Sequence, residues 1–136
     1  MKRILLIEDD LYIRDIYSRI FTNAGYSVEV AVDGEEGIAK TKDQAYDLVL
    51  LDIMLPKVTG IDVLKNFRQP SSTMRNTPVF LITNLGQDDI IKEAFDLGAD
   101  GYLLKAQFKP QDIVEQIGAY FKQRETSSGQ KQPPLQ

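Results

Sequence analysis

Short unbroken runs of apolar residues recur along the chain at Ile4 to Ile7, Leu48 to Leu51, Val79 to Ile82 and Tyr102 to Leu104. Runs of this length without polar interruption predict strands covered on both faces. Tyr26 to Val32 differs: Val28, Val30 and Val32 alternate with Ser27, Glu29 and Ala31, the two-residue period of a half-exposed strand at a sheet edge. Between these runs the period lengthens to that of a helix. Ile13, Ile16, Tyr17, Ile20 and Ala24 fall on one helical face that Gly25 can end, and Ile38 and Ala39 mark a weaker helix after the Asp33-Gly34 turn. Ile61, Leu64 and Phe67 define a helix after Gly60; Ile90, Ala94 and Leu97 define one ending at Gly98. Ile113, Ile117, Tyr120 and Phe121 define a last helix with Pro110 in its first turn. Five successive strand–helix units predict an α/β domain, a parallel sheet with helices on both faces.

The apolar pattern stops at Arg124. Residues 1–123 are expected to form the domain, while 124–136, with Ser127, Ser128, Gly129, Pro133 and Pro134 among glutamines, have the composition of a flexible tail or a truncated linker. At 136 residues and 43% hydrophobic, the chain can build one core and has almost no room for a second. The 16 basic against 20 acidic side chains give a net charge of −4, without the basic excess a phosphate backbone demands, so no direct nucleic-acid binding is expected. Neither cysteine nor histidine occurs, so any chemistry runs on carboxylates, hydroxyls and lysines. The first apolar run is shorter than the ~7–15 residues of a signal-peptide core, and nothing approaches the ~20 apolar residues of a membrane span. The expectation is a soluble cytoplasmic protein with no membrane partner.

In a parallel sheet the residues that follow each strand lie along one edge, where such folds bind ligands. Here they are polar: Glu8, Asp9 and Asp10 after the first strand, Asp52 after the third, Thr83 and Asn84 after the fourth, Lys105 after the fifth. Glu8, Asp9 and Asp52 would crowd like charges together unless a cation sat among them, and an all-oxygen carboxylate set suits Mg²⁺. Taken singly, each residue has an ordinary reading: Asp10 as a helix N-cap, Thr83 closing its strand, Lys105 as a solvated loop lysine, Tyr102 as sheet packing. Taken together, carboxylates, a hydroxyl and an amine at successive strand ends form a metal-and-phosphoryl constellation that capping does not require.

The sequence resembles the receiver domain of two-component response regulators. The resemblance lies in Ile4-Leu5-Leu6-Ile7-Glu8-Asp9-Asp10, in Leu50-Leu51-Asp52-Ile53-Met54-Leu55-Pro56 with Gly60, in Phe80-Leu81-Ile82-Thr83, and in Gly98-Ala99-Asp100-Gly101-Tyr102-Leu103-Leu104-Lys105. It implies the flavodoxin-like doubly wound five-stranded sheet in the order 2-1-3-4-5, with Tyr26 to Val32 at an edge. It also implies that Asp52 is a phosphoacceptor taking its phosphoryl group from a histidine kinase or phosphotransfer protein, and that Glu8, Asp9, Asp52 and the backbone carbonyl of Met54 hold Mg²⁺. Lys105 and Thr83 would contact the phosphoryl group, and Thr83 and Tyr102 would carry the switch to a downstream protein. The chain would then act as a signalling switch rather than an enzyme on external substrates. The family commonly uses its fourth helix, fifth strand and fifth helix as a partner or homodimer face, to which Ile91 and Phe95 could contribute.

Two positions depart from the family pattern. Ala106 follows Lys105 where proline, commonly after a cis bond, is usual, and Asn84 follows Thr83 where a small residue is common. A cis bond before a non-proline residue costs about 2.5–4 kcal/mol, so the Lys105-Ala106 bond is expected to be trans. The resemblance also implies that Met54 and Leu85, two residues after Asp52 and Thr83, border the path of a water attacking the phosphoryl group. Three other readings compete: a nucleotide or flavin carrier, a Mg²⁺-dependent phosphatase, and a partner-binding pseudo-receiver. The acidic loop after the first strand weighs against the carrier, and the lack of a cap insertion weighs against the phosphatase.

Overall fold

A computed structural model describes residues 1–84 and 88–128, with the side chains of 126–128 left aside. Ten elements alternate without exception: β1 (Arg3–Ile7), α1 (Leu11–Asn23), β2 (Ser27–Ala31), α2 (Gly34–Asp43), β3 (Leu48–Asp52), α3 (Gly60–Phe67), β4 (Val79–Thr83), α4 (Asp88–Asp96), β5 (Gly101–Leu104) and α5 (Pro110–Ser128). The strands form one parallel sheet in the order β2-β1-β3-β4-β5, the doubly wound arrangement expected from the sequence. Strand residues alternate between its faces. Ile4, Leu6, Leu48, Leu50, Ile82 and Leu103 pack beneath α1 and α5, while Leu5, Ile7, Val49, Leu51, Val79 and Leu81 pack beneath α2, α3 and α4. The central strand β3 is buried along its whole length, which is why its sequence reads as an unbroken apolar run.

Several details differ from the sequence pattern. Strand β2 closes at Ala31, so Val32 lies beyond the strand and is exposed, its N–H donating to the carboxylate of Glu36 at 2.7 Å. On α1 the buried pair is Tyr17 and Phe21, four residues apart, with Ile13, Ile16 and Ile20 flanking it; Ala24 is the C-cap and Gly25, at φ 101°, turns the chain away. Ile91 is buried against the domain and widens the inward stripe of α4, whereas Phe95 stays exposed. The last helix runs to Ser128, five residues past the expected end of the pattern at Phe121 to Gln123. Arg124 holds this extension by donating to the Tyr120 hydroxyl at 3.0 Å and lying over its ring, and Lys2 sits 5.2 Å from the ring of Phe121. Gly129, Pro133 and Pro134 of the expected tail lie outside the described residues, as does Leu85. No described helix is long and apolar enough to cross a membrane.

Candidate functional site

The C-terminal ends of β1, β3 and β5 bring Glu8, Asp9, Asp52 and Lys105 together. Glu8, Asp9 and Asp52 each offer a carboxylate oxygen, and these oxygens lie within 4.8 Å of one another. Glu8 and Asp52 are buried, while Asp9 opens to solvent. Lys105 reaches across from β5 and donates to Glu8 Oε1 at 2.8 Å and to Asp52 Oδ2 at 3.4 Å, with its side chain only 9% exposed. A solvated loop lysine would not be so enclosed, so the ordinary reading of Lys105 does not hold. Asp10 does fulfil its ordinary reading, since its Oδ1 accepts from the amides of Tyr12 and Ile13 and caps α1.

The backbone around the carboxylates is fixed from several sides. Glu8 Oε2 accepts from the Asp10 amide at 3.2 Å, and Asp52 Oδ1 accepts from the Met54 amide at 3.0 Å. The guanidinium of Arg14 donates to the carbonyls of Glu8 and Asp9 at 3.0 and 3.3 Å and so tethers the acidic loop to α1. Arg14 was not singled out from the sequence; its position four residues after the Asp10 cap, one helical turn above the loop, was the available signal. At Gly60 a Cβ would lie 2.6 Å from both the Asp52 carbonyl and the Ile53 Cα, so only glycine lets the first turn of α3 sit this close to the backbone of Asp52. Thr59 and Asp62 close that turn as a capping box.

Electrostatically the site is strained without a cation. Burial, and secondarily the neighbouring Asp52 charge, push the carboxyl of Glu8 up from 4.5 to about 7, against the opposing hydrogen bond and charge of Lys105 and the Asp10 amide. One ammonium is therefore insufficient to compensate the buried pair. Three carboxylates converging with all-oxygen donors fit a hard divalent ion, which would supply the missing positive charge.

Thr83 ends β4 fully buried, and its carbonyl accepts the Lys105 amide at 2.7 Å, tying the two strand ends together. Tyr102 stands apart from the carboxylates on the outer strand, 42% exposed, its ring edge-to-face with Phe95 at 5.9 Å. Met54 is 54% exposed beside Asp52. No cis peptide occurs among the described residues, so the Lys105-Ala106 bond is trans, as its cost required. Asn84 is exposed at the end of β4.

A doubly wound sheet with three carboxylates and a lysine gathered at its carboxyl edge is the architecture of a ligand-binding α/β domain whose acidic cluster suits a divalent cation. Within that class, the family description "Response regulator receiver domain" matches residues 4–118, and the chain belongs to that family. It is 43% identical over 117 residues, 86% of its length and 46% of the relative's, to the DNA-binding dual master transcriptional regulator RpaA of Synechocystis sp.. The chain spans about half the length of the curated relatives it matches. Among solved structures it superposes on a CheY-like receiver domain protein from Methanospirillum hungatei with a TM-score of 0.84 at 29% identity, covering 93% of this chain and 98% of that one. It also superposes on one chain from the CheX–CheY–BeF3–Mg2+ complex of Borrelia burgdorferi with a TM-score of 0.79 at 28% identity, covering 88% of this chain and 89% of that one.

Proposed function

We propose that the chain is a phosphorylation-controlled switch in two-component signalling, with Asp52 as the phosphoacceptor and Mg²⁺ as its cation. The observation that carries this reading is the convergence of the Glu8, Asp9 and Asp52 carboxylates within 4.8 Å, spanned by the enclosed ammonium of Lys105. An Asp52 carboxylate oxygen attacks the phosphorus of a phosphohistidine on a histidine kinase or phosphotransfer protein. The N–P bond breaks as the O–P bond of an acyl phosphate forms, and the donor imidazole leaves with the electron pair. Having no histidine, this chain acts as acceptor and not as donor. Glu8, Asp9, Asp52 and the Met54 carbonyl would hold the metal, which when bound offsets the charge of the incoming phosphoryl group. Lys105 and the Thr83 hydroxyl would contact phosphoryl oxygens. Similarity to a chain from a CheX–CheY complex with BeF3 and Mg2+ supports both assignments.

Thr83 would move toward the phosphoryl group, and Tyr102 would follow by changing rotamer, altering the α4–β5–α5 surface for a downstream protein or a second copy of the chain. Phe95 and Tyr102, both exposed and in edge-to-face ring contact, would offer that surface apolar contact. The test is intact mass after incubation with acetyl phosphate and Mg²⁺. One phosphoryl group should be gained by the parent and none by Asp52→Asn; labelling of that variant, or full labelling of the parent in chelator, overturns the reading.

A further inference from the structure

The amino edge of the sheet, opposite the acidic cluster, carries two adjoining cavities of about 250 and 300 Å³ that share Thr41, Lys42 and Thr73 on their walls. The first is also lined by Gln44, Tyr46 and Thr77. Tyr46 and Thr77 each stand two residues before a strand, β3 or β4, whose far end carries Asp52 or Thr83. The second adds the carboxamides of Asn66 and Gln69 and the hydroxyls of Ser71 and Ser72. Hydrogen bonds hold these walls in place. Arg68 donates to the Met74 carbonyl and Arg75 to the Pro70 carbonyl, both at 2.7 Å, and Ser72 Oγ accepts from the Met74 amide at 2.9 Å. The Thr73 hydroxyl donates to the Thr41 carbonyl at 3.4 Å and so joins two sides of the cleft. A preformed cleft of this size suits a small molecule and spares the cost of ordering its walls on binding.

Two buried side-chain atoms among the described residues lack a hydrogen-bond partner, Gln44 Oε1 and the Tyr46 hydroxyl, and both residues line the first cavity. Buried polar atoms ordinarily have partners, because an unpaired one has given up its hydration for nothing. Tyr46 is only 6% exposed, and its ring belongs to the core that includes Phe67 and Met74. Phenylalanine would serve that packing, so the core does not account for the hydroxyl. Burial, then the charges of Glu29 and Asp43 against that of Arg3, pushes this hydroxyl up and keeps it a neutral donor and acceptor. Gln44 Nε2 donates to Glu29 Oε1 at 3.1 Å; a carboxylate only accepts, so the carboxamide is fixed with its oxygen as the unpaired end. The first cavity therefore fits a ligand that donates to an amide oxygen and shares a hydrogen bond with a phenol. The charged side chains on the two linings are Lys42 and Asp43, opposite in sign and both exposed, so no buried charge selects an ion. The remaining polar wall is hydroxyl and carboxamide, which complements ligand hydroxyls that both donate and accept.

We infer that this cleft is a binding site for a small uncharged polyhydroxy compound, a monosaccharide or cyclic polyol, whose hydroxyls pair with Gln44 Oε1 and the Tyr46 hydroxyl. The site stands apart from the phosphorylation chemistry and does not rest on it. The test follows amide spectra of the full chain titrated with D-glucose, D-ribose and myo-inositol. At least one of the three should shift the amides of Gln44, Tyr46 and Thr73 saturably. Tyr46→Phe and Gln44→Met should each weaken that binding about fivefold, the value of one neutral hydrogen bond. Stability separates a ligand site from a cavity filled by trapped water. Without sugar, Tyr46→Phe should melt at or above the temperature of the parent, because it removes an unpaired buried hydroxyl, whereas loss of a bond to trapped water would lower it. Saturable shifts with none of the three compounds, unchanged affinity in both variants, or a lower melting temperature for unliganded Tyr46→Phe overturns the inference. So does binding of glucose 6-phosphate without binding of any of the three, which would assign the cleft to an anion.

Discussion

Met54 sits two residues beyond Asp52, and more than half of its surface faces solvent at the mouth of the site. Its thioether cannot orient a water by a strong hydrogen bond, and its length lets it cover a phosphoryl group on Asp52. Hydrolysis of the acyl phosphate requires water in line with the bond to the aspartyl oxygen. A side chain that excludes or fails to position that water slows the step by about tenfold for each ~1.4 kcal/mol of positioning lost. Met54→Asn, which supplies both a donor and an acceptor, should shorten the lifetime of the phosphorylated form roughly tenfold. The decay of phosphoprotein after donor removal, followed by intact mass, checks this; an unchanged or longer lifetime counts against it.

At the level of elements, the join between β3 and α3 has the least tolerance. Gly60 seats the helix on the carbonyl of Asp52, and Lys57 in the preceding loop is held at φ 64°, a left-handed conformation that non-glycine residues adopt at a cost. Gly60→Ala would drive a methyl against backbone atoms that cannot swing aside. The expected loss is about 1–3 kcal/mol of stability, together with slower phosphorylation because the Asp52 backbone must shift. Thermal melts and labelling rates on the same variant check both effects. Thr59→Ala, by contrast, removes one capping contact and should cost only about 1 kcal/mol while leaving the labelling rate near that of the parent.

For the whole molecule, the shifted carboxyl of Glu8 couples folding to pH. Its value is about 7 when folded against an ordinary 4.5, so between these limits the folded chain holds a proton that the unfolded chain has released. The associated stability is complete below about 4.5 and is lost as pH rises through about 7. Melts in chelator should therefore show stability falling across that interval. Mg²⁺ should offset the fall, and its affinity should rise with pH through the same range because binding expels the proton. A melting temperature indifferent to Mg²⁺ near neutrality would contradict this. Communication across the domain is tested separately. Thr83→Ala should retain partial labelling yet show smaller shifts around Tyr102 in amide spectra on phosphorylation, and shifts equal to the parent's would break the proposed link.

Much of this architecture follows from periodicity alone. The unbroken run Leu48 to Leu51 is a strand buried on both faces because helices cover the sheet on either side, and the position of Pro110 and the turn at Gly25 bound their helices by local backbone rules. The polar residues after each strand were legible as one edge because parallel strands point the same way. Which atoms meet there was not legible, since contacts between residues as distant as Glu8 and Lys105 depend on strand order, register and side-chain reach. Nor could composition reveal that Ile91 turns inward while Phe95 stays out, that Val32 falls beyond its strand, or that α5 continues to Ser128, because rotation of a helix and fraying at an end are settled by neighbours. Tyr17 shows the division most clearly. Its place in a helical stripe marked it as core, whereas the charges that add to burial in pushing its hydroxyl up come from Glu8 and Asp52, which only the tertiary fold brings near it.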